Sequence, residues 1–204
     1  MGDTKIKICG LRTREDIEII NRNRPDFAGF ICCSRFWRYV PKDTLLDLSA
    51  MVEPGIRRVG VFVDDPVETV SSYINEGLVD LVQLHGKEGD DYIEALRAAI
   101  GAQKTRIIKA FQIRSEDDIK AAASSRADLV LLDSGQGSGR TFDWRLIRDV
   151  GRPFFLAGGL GPDNLEEAVG RFHPFAVDIS SGVETDRHKD PDKVKRAVEA
   201  VRQS

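Results

Sequence analysis

Short apolar runs recur at a nearly even interval along the chain. Each is followed by a longer, more polar stretch in which apolar residues return every three or four positions. The runs fall at 5–9, 27–32, 58–63, 81–84, 105–111, 127–133, 154–157 and 175–179. Most are continuous rather than alternating, as expected of strands covered on both faces. The stretches between them predict helices at 14–21, 41–51, 66–76, 90–99, 116–123 and 142–150, with two more starting near Pro162 and Pro191. Thr13 and Ser115 stand where N-caps belong, and Pro41, Pro66, Pro162 and Pro191 stand where helices open. Eight strand–helix units share 204 residues, and crossovers of this length join parallel strands. The pattern predicts an α/β protein, a single-domain (β/α)8 TIM barrel over residues 1–204. An open doubly wound sheet is the alternative, but it seldom uses eight units this compact.

Composition adds mainly exclusions. Apolar residues make up 41% and charged residues 31%, ordinary for a soluble globular domain. A net charge of −3 gives no reason to expect nucleic acid or an anionic membrane as partner. No apolar run is long enough to cross a bilayer. The chain enters a strand pattern at Lys5, which argues against a signal peptide and for a cytoplasmic protein. Cys9, Cys32 and Cys33 are odd in number and have neither disulfide-framework nor zinc-ligand spacing, which fits a reducing compartment. The helices carry many charges and no long apolar outer stripe, so a monomer is preferred, with a homodimer as the alternative.

In a barrel of this kind chemistry gathers where the strands end. The residues just after the strands are therefore the ones to read. They are Cys9-Gly10, the run 32–39 with Arg35 and Arg38, Asp64-Asp65, Gln83 with His85, Phe111, and Asp133. The last two strands break into small-residue loops, Gly158-Gly159-Leu160-Gly161-Pro162 and Ser180-Ser181-Gly182. Paired glycines allow close backbone approach, and a helix start favours an anion, so the two loops together suggest a phosphate cradle. A thiol, a carboxylic acid, an Arg and a phosphate cradle, with no metal cluster, suit proton transfer on a phosphorylated sugar. Each candidate has a structural alternative. Cys9 could be a core thiol, Asp133 a turn cap, Arg38 a solvated charge, His85 a satisfied strand-end residue, and Asp178 a loop brace.

Seven motifs bear on that choice: Lys7-Ile8-Cys9-Gly10, Arg38-Tyr39-Val40, Val59-Gly60-Val61-Phe62-Val63, Gln83-Leu84-His85-Gly86, Gly139-Arg140-Thr141-Phe142-Asp143-Trp144, Ala157-Gly158-Gly159-Leu160 and Val177-Asp178-Ile179-Ser180-Ser181-Gly182-Val183-Glu184. In this order they resemble the phosphoribosylanthranilate isomerase family over nearly the whole chain. The resemblance implies an Amadori rearrangement of an aminoaldose phosphate to an aminoketose in tryptophan biosynthesis, without a cofactor. It implies Cys9 as general base and Asp133 as general acid. It places Arg38 on the substrate carboxylate, and Gln83, His85 and Asp178 at the substrate. Gly158, Gly159, Ser180, Ser181 and Gly182 would hold the phosphate. The chemistry would ask for a protonated Asp133, its pKa raised by burial, and for a Cys9 pKa modestly lowered.

Two stretches depart from the family pattern. Phe36-Trp37-Arg38 puts two aromatics where the family has smaller or charged residues, which makes Arg35 a rival carboxylate partner. Arg187-His188-Lys189-Asp190 replaces a Gly-Lys-Lys-Asp run. The glycine-rich segment 134–141 is expected to act as a lid. Two other readings share the phosphate loops: a histidine-pathway isomerase, alone or bifunctional, and a phosphosugar-binding module without activity. The former would carry Asp where this chain has Cys9. Retention of both Cys9 and Asp133 argues against the latter.

Overall fold

The computed structural model describes residues 4–133, 147 and 150–204. Eight parallel strands close into a barrel in chain order. They are β1 (Lys5–Cys9), β2 (Phe27–Ile31), β3 (Arg57–Phe62), β4 (Leu81–Leu84), β5 (Arg106–Gln112), β6 (Leu129–Asp133), β7 (Phe154–Ala157) and β8 (Ala176–Ile179). Pairing of β8 with β1, Lys7 opposite Asp178, closes the sheet and excludes the open doubly wound alternative. Seven helices lie among the described residues: α1 (Arg14–Asn23), α2 (Lys42–Met51), α3 (Val67–Asn75), α4 (Asp90–Ile100), α5 (Glu116–Ser124), α6 (Leu165–Phe172) and α7 (Pro191–Gln203). The helix expected at 142–150 falls outside the described residues except for Ile147 and Val150, which are buried, and the expected lid at 134–141 lies wholly outside them.

Local chemistry explains where the helices begin. Thr13 and Asp16 form a reciprocal capping box at α1, and Ser115 and Asp118 form another at α5. The Asp190 carboxylate accepts from the backbone N–H groups of Asp192 and Lys193, with Pro191 at the first position of α7. The helix expected near Pro162 starts later, at Leu165. The Asn164 side chain accepts from the Gly161 N–H (2.9 Å) and donates to the Gly159 carbonyl (3.0 Å), so residues 161–164 form a turn before the helix can start.

Alternation along each strand separates two cores. Ile6, Ile8, Phe30, Val82, Leu132 and Val177 face the helices. Phe27, Val59, Leu81, Ile108, Leu131 and Phe155 fill the barrel. Phe27, Phe155 and Phe175 pack with ring centroids 5.4–6.4 Å apart, and the Arg57 guanidinium lies 4.5 Å from the Phe27 ring centre. These groups close the N-terminal end of the barrel.

The same end carries a repeated device. Asp26, Asp80 and Asp128 each sit one residue before an even-numbered strand. Their carboxylates accept the backbone N–H of the second residue of the preceding strand, Ile6 (3.0 Å), Arg58 (2.7 Å) and Ile107 (2.7 Å). Each clamps a strand pair in register. Asp80 also holds the Arg58 guanidinium in a two-pronged pair at 2.6 and 3.0 Å. Burial pushes the Asp80 carboxyl up, but the bonds and charge from Arg58 pull it further down, and the net effect is a pKa below the usual carboxylate range.

A depressed folded pKa means that the contribution of Asp80 is complete above about pH 4 and fades as the pH falls further. Replacing Asp80 by Asn should therefore cost about 1–2 kcal/mol at neutral pH, allowing for its partial exposure. In urea melts at two pH values, the gap to wild type should shrink at the acidic one. An equal gap at both would show that the charge of Asp80 contributes nothing.

Candidate active site

The open end of the barrel is lined by a ring of polar residues that the register places side by side. Asp133 on β6 pairs with Ala157 on β7, Ala157 with Asp178 on β8, and Asp178 with Lys7 on β1. All four share the inward face, and Ala157 leaves room between the two carboxylates. Cys9 lies two residues beyond Lys7, also inward.

Lys7 is the unexpected member. Its side chain is fully buried, its ammonium donates to both oxygens of Asp178 at 2.9 and 3.0 Å, and the Cys9 side chain lies close beside it. Burial pushes its pKa down, but Asp178 and then Cys9 outweigh burial, so Lys7 remains an ammonium. A Lys at an inward position of a barrel strand was the signal available in the sequence. It lies inside β1, away from the strand ends where barrel chemistry gathers.

Cys9 is buried, and burial pushes its thiol pKa up. Lys7 opposes that rise and Asp178 adds to it. The expected modest lowering is therefore not found, because the strand end is enclosed rather than exposed to solvent. Gly29 makes the pairing fit: a Cβ there would meet the Cys9 sulfur at 2.8 Å and the Lys7 Cε at 3.1 Å. Cys32 and Cys33 are buried, and their sulfurs face the carbonyls of Phe30 and Val63, a packing role.

On the opposite wall, His85 Nε2 lies 3.3 Å from Asp133 Oδ2, and His85 Nδ1 lies 2.8 Å from Gln83 Nε2. Gln83 and His85, read as substrate contacts, thus form a relay to Asp133. The buried Gln83 Oε1 has no hydrogen-bond partner among the described residues. Turning the amide over would bring Gln83 Oε1 to His85 Nδ1–H and leave His85 Nε2 to accept a hydrogen bond from a carboxylic acid.

Arg38 reaches over Gly10, where a Cβ would lie 2.6 Å from its Cδ. Gly10 has φ +81, a conformation that also favours glycine. The Arg38 guanidinium donates to both oxygens of Glu184, Nε at 3.0 Å and Nη2 at 2.7 Å, and lies 4.1 Å from the Trp37 ring centre. Glu184 also accepts from Lys189 at 2.7 Å. Burial pushes the Glu184 carboxyl up, but Arg38 and Lys189 together hold it below the usual range. Lys189 reaches it through a hairpin, β9 (Glu184–Thr185) and β10 (His188–Lys189), turned by Asp186 and Arg187 at φ 50 and 65. Arg35 points elsewhere, donating to the Val63 carbonyl at 2.7 Å near Asp64.

The two small-residue loops meet. Gly158 and Gly159 have φ 92 and 65, and a Cβ on Gly182 would lie 2.0 Å from the Leu160 carbonyl oxygen. Ser181–Val183 form a single 3-10 turn beside them, and a Cβ on Gly10 would approach Ser180 Oγ to 3.1 Å. The arrangement joins an enclosed thiol beside an ammonium, a carboxyl group linked to an imidazole, an Arg at the rim and a glycine-lined corner. It can move protons at a small anionic substrate.

Known proteins share both the sequence and the fold. Residues 6–200 match the family model described as N-(5'phosphoribosyl)anthranilate (PRA) isomerase. An N-(5'-phosphoribosyl)anthranilate isomerase of Endomicrobium trichonymphae is 40% identical over 203 residues, covering 97% of this chain and 98% of that protein. One of Acetivibrio thermocellus is 38% identical, covering 98% and 97%. The solved phosphoribosyl anthranilate isomerase of Thermotoga maritima superposes with a TM-score of 0.88 at 33% identity, covering 98% of this chain and 100% of that one. A related structure, described as a complex with reduced 1-(o-carboxyphenylamino)-1-deoxyribulose 5-phosphate, gives 0.86 at 33% identity, covering 98% and 100%. The closed barrel is thus that of a known enzyme group, and the chain belongs to the N-(5'-phosphoribosyl)anthranilate isomerase family.

Proposed function

We propose that the chain converts N-(5'-phosphoribosyl)anthranilate to 1-(2-carboxyphenylamino)-1-deoxyribulose 5-phosphate in L-tryptophan biosynthesis, with Cys9 as general base and Asp133 as general acid. The observation that carries the assignment is the placement of Cys9 on β1 and Asp133 on β6 around one polar barrel end, with Lys7 and Asp178 between them in register.

Asp133 gives its proton to the furanose ring oxygen as the C1–O bond breaks, leaving a protonated Schiff base. Cys9 as thiolate then removes the proton from C2. The C–H electron pair becomes a C1–C2 double bond, and the iminium π pair returns to nitrogen. The enaminol formed tautomerises to the ketone, a proton leaving its hydroxyl and one arriving at C1. The iminium is the electron sink, so the step calls for no cofactor. With the Gln83 amide turned so that Oε1 accepts from His85 Nδ1–H, His85 Nε2 accepts from protonated Asp133 and holds the acid in place.

Glu184 and Trp37 fix the Arg38 guanidinium and leave its outer edge for the anthranilate carboxylate. Asp178 faces the sugar hydroxyls. Gly158 and Gly159 on one loop, and Ser180, Ser181 and Gly182 on the other, form the phosphate corner.

Loss of substrate fluorescence measures turnover directly. Cys9→Ser and Asp133→Asn should each lower kcat by a factor of about 100 or more, with folding intact by circular dichroism. Wild-type turnover that survives either change would remove that residue from the mechanism.

Truncation of the two arginines separates the carboxylate partners. Arg38→Met should raise KM by about tenfold or more through loss of a charge-assisted pair, whereas Arg35→Met should leave KM near wild type. The reverse result would assign the carboxylate to Arg35.

The charged helices support a monomer. Among the described residues only Phe36, Trp37 and Leu46 are large, apolar and exposed, whereas the Thermotoga maritima relative is described as dimeric. Light scattering should give a mass near 22.7 kDa, and twice that value would establish a dimer.

A further inference from the structure

Lys7 has no part in the acid–base scheme above, yet it is the most deeply enclosed charge at the site. An ammonium offers three N–H donors. Two are spent on the Asp178 oxygens, and the Cys9 sulfur lies beside the Lys7 side chain, the two meeting over Gly29. If Lys7 served only to close the barrel, an apolar pair across β1 and β8 would do so at least as well, since taking two charges out of water is costly. The ion pair instead lies directly against the thiol assigned as base.

A proton inventory shows why a cation is wanted there. The reacting enzyme needs Cys9 as thiolate and Asp133 as carboxylic acid. The form with Cys9 as thiol and Asp133 as carboxylate holds the same number of protons. Ordinary pKa values favour that second, inactive form. Only the surroundings of the two groups can shift the balance, and bulk pH alone cannot.

We propose that Lys7 is a positioning residue for Cys9: its ammonium pairs with the Cys9 thiolate in the reacting enzyme, and Asp178 competes for the same ammonium. Substrate hydroxyls that engage Asp178 then release Lys7 towards the sulfur. The catalytic consequence rests on the isomerase reading, but the pairing itself does not.

Five ionisable groups face or approach Cys9 or its neighbour Gly10. Lys7 is on its own strand, Asp178 comes from β8, Lys189 from β10, and Cys32 follows β2, while Arg38 passes over the neighbouring Gly10. Lys7 and Lys189 favour the thiolate, and Asp178 opposes it. The two partners of the ion pair therefore act on Cys9 with opposite signs, and this separates the proposal from a structural role.

The test is alkylation of Cys9 by iodoacetamide from neutral to alkaline pH, read by mass mapping of the Cys9 peptide so that Cys32 and Cys33 do not interfere. Lys7→Met should move the alkylation midpoint to higher pH and slow the reaction at neutral pH by about tenfold, because the thiolate is the nucleophile. Asp178→Asn should move the midpoint to lower pH and speed the reaction. Lys7→Arg should retain most of the wild-type reactivity. In turnover assays the acid limb of kcat/KM should follow the same two directions.

Loss of a merely structural pair would loosen the strand end in both variants and speed alkylation in both, and that result would overturn the proposal. Asp178→Asn is nearly isosteric, so it decides the matter even where Lys7→Met fails to fold: a midpoint that stays or rises is equally fatal. Opposite alkylation shifts without wild-type turnover would keep the pairing and reject the isomerase reading. Turnover without those shifts would do the reverse.

Discussion

The Lys7–Asp178 pair spans the seam where the barrel closes, and the register it occupies is the one on which the site depends. Removing an ammonium and a carboxylate from water costs several kcal/mol each, and only close, well-oriented contact recovers it. Here contact is made by one cross-strand pair in the β1–β8 register, Lys7 opposite Asp178. A slip of one residue would turn Lys7 and Cys9 towards the helices and bring Ile6 and Ile8 into the polar end. Closing the sheet correctly and assembling the thiol, the ammonium and the carboxylate are therefore one event. Gly29 is part of the same constraint, since any side chain there would collide with Cys9 and Lys7.

The barrel divides its work along its axis. The N-terminal end is tied by aspartates that clamp strand pairs and is plugged by three phenylalanines. The position that would carry a fourth clamp, before β8, holds Phe175 and belongs to the plug instead. The C-terminal end has polar residues at the inward positions and loops shaped by glycine. One loop brace there is also buried: the Lys109 ammonium donates to Glu88 at 2.9 Å and to the Gly86 carbonyl at 2.7 Å, and Glu88 accepts from the Asp64 and Gly86 N–H groups. Stability is thus concentrated below the site and behind it, and the inward face is left for chemistry.

The strand–helix alternation made the fold readable from the sequence because a parallel barrel writes its period in apolar residues. Strand ends shifted by one or two residues at most, and α6 began late because Asn164 uses its side chain on the preceding turn. The strand ends also carry Cys9, Asp133, His85 and Arg38, which the fold brings to one end. Lys7 is less legible because it sits inside a strand, and so is the Arg38–Glu184–Lys189 chain, which needs the β9–β10 hairpin to bring Lys189 back to Glu184. The raised thiol pKa is hidden for a related reason. A sequence shows that Cys9 ends a strand but not how completely other strands and loops cover it. The three aspartate clamps look like ordinary turn residues until register shows what each carboxylate faces.

Charge balance links these features to the substrate. Around Cys9 the enclosed cations are Lys7 and Lys189, with Arg38 at the rim, and the carboxylates among them are Asp178 and Glu184. Three positive charges against two negative ones leave the neighbourhood short of an anion. A thiolate would supply it, and so would the substrate carboxylate assigned to Arg38. Before substrate arrives, burial keeps Cys9 as the thiol, which resists oxidation and stray alkylation. In the proposed reaction the Schiff-base cation forms beside the sulfur only after the ring has opened. The thiolate form is then favoured at the moment the C2 proton is within reach, because a further positive charge joins Lys7 and Lys189 at low dielectric. An enclosed, reluctant thiol is compatible with a general base on this account: the full driving force for ionisation is assembled only in the presence of the intermediate it acts upon.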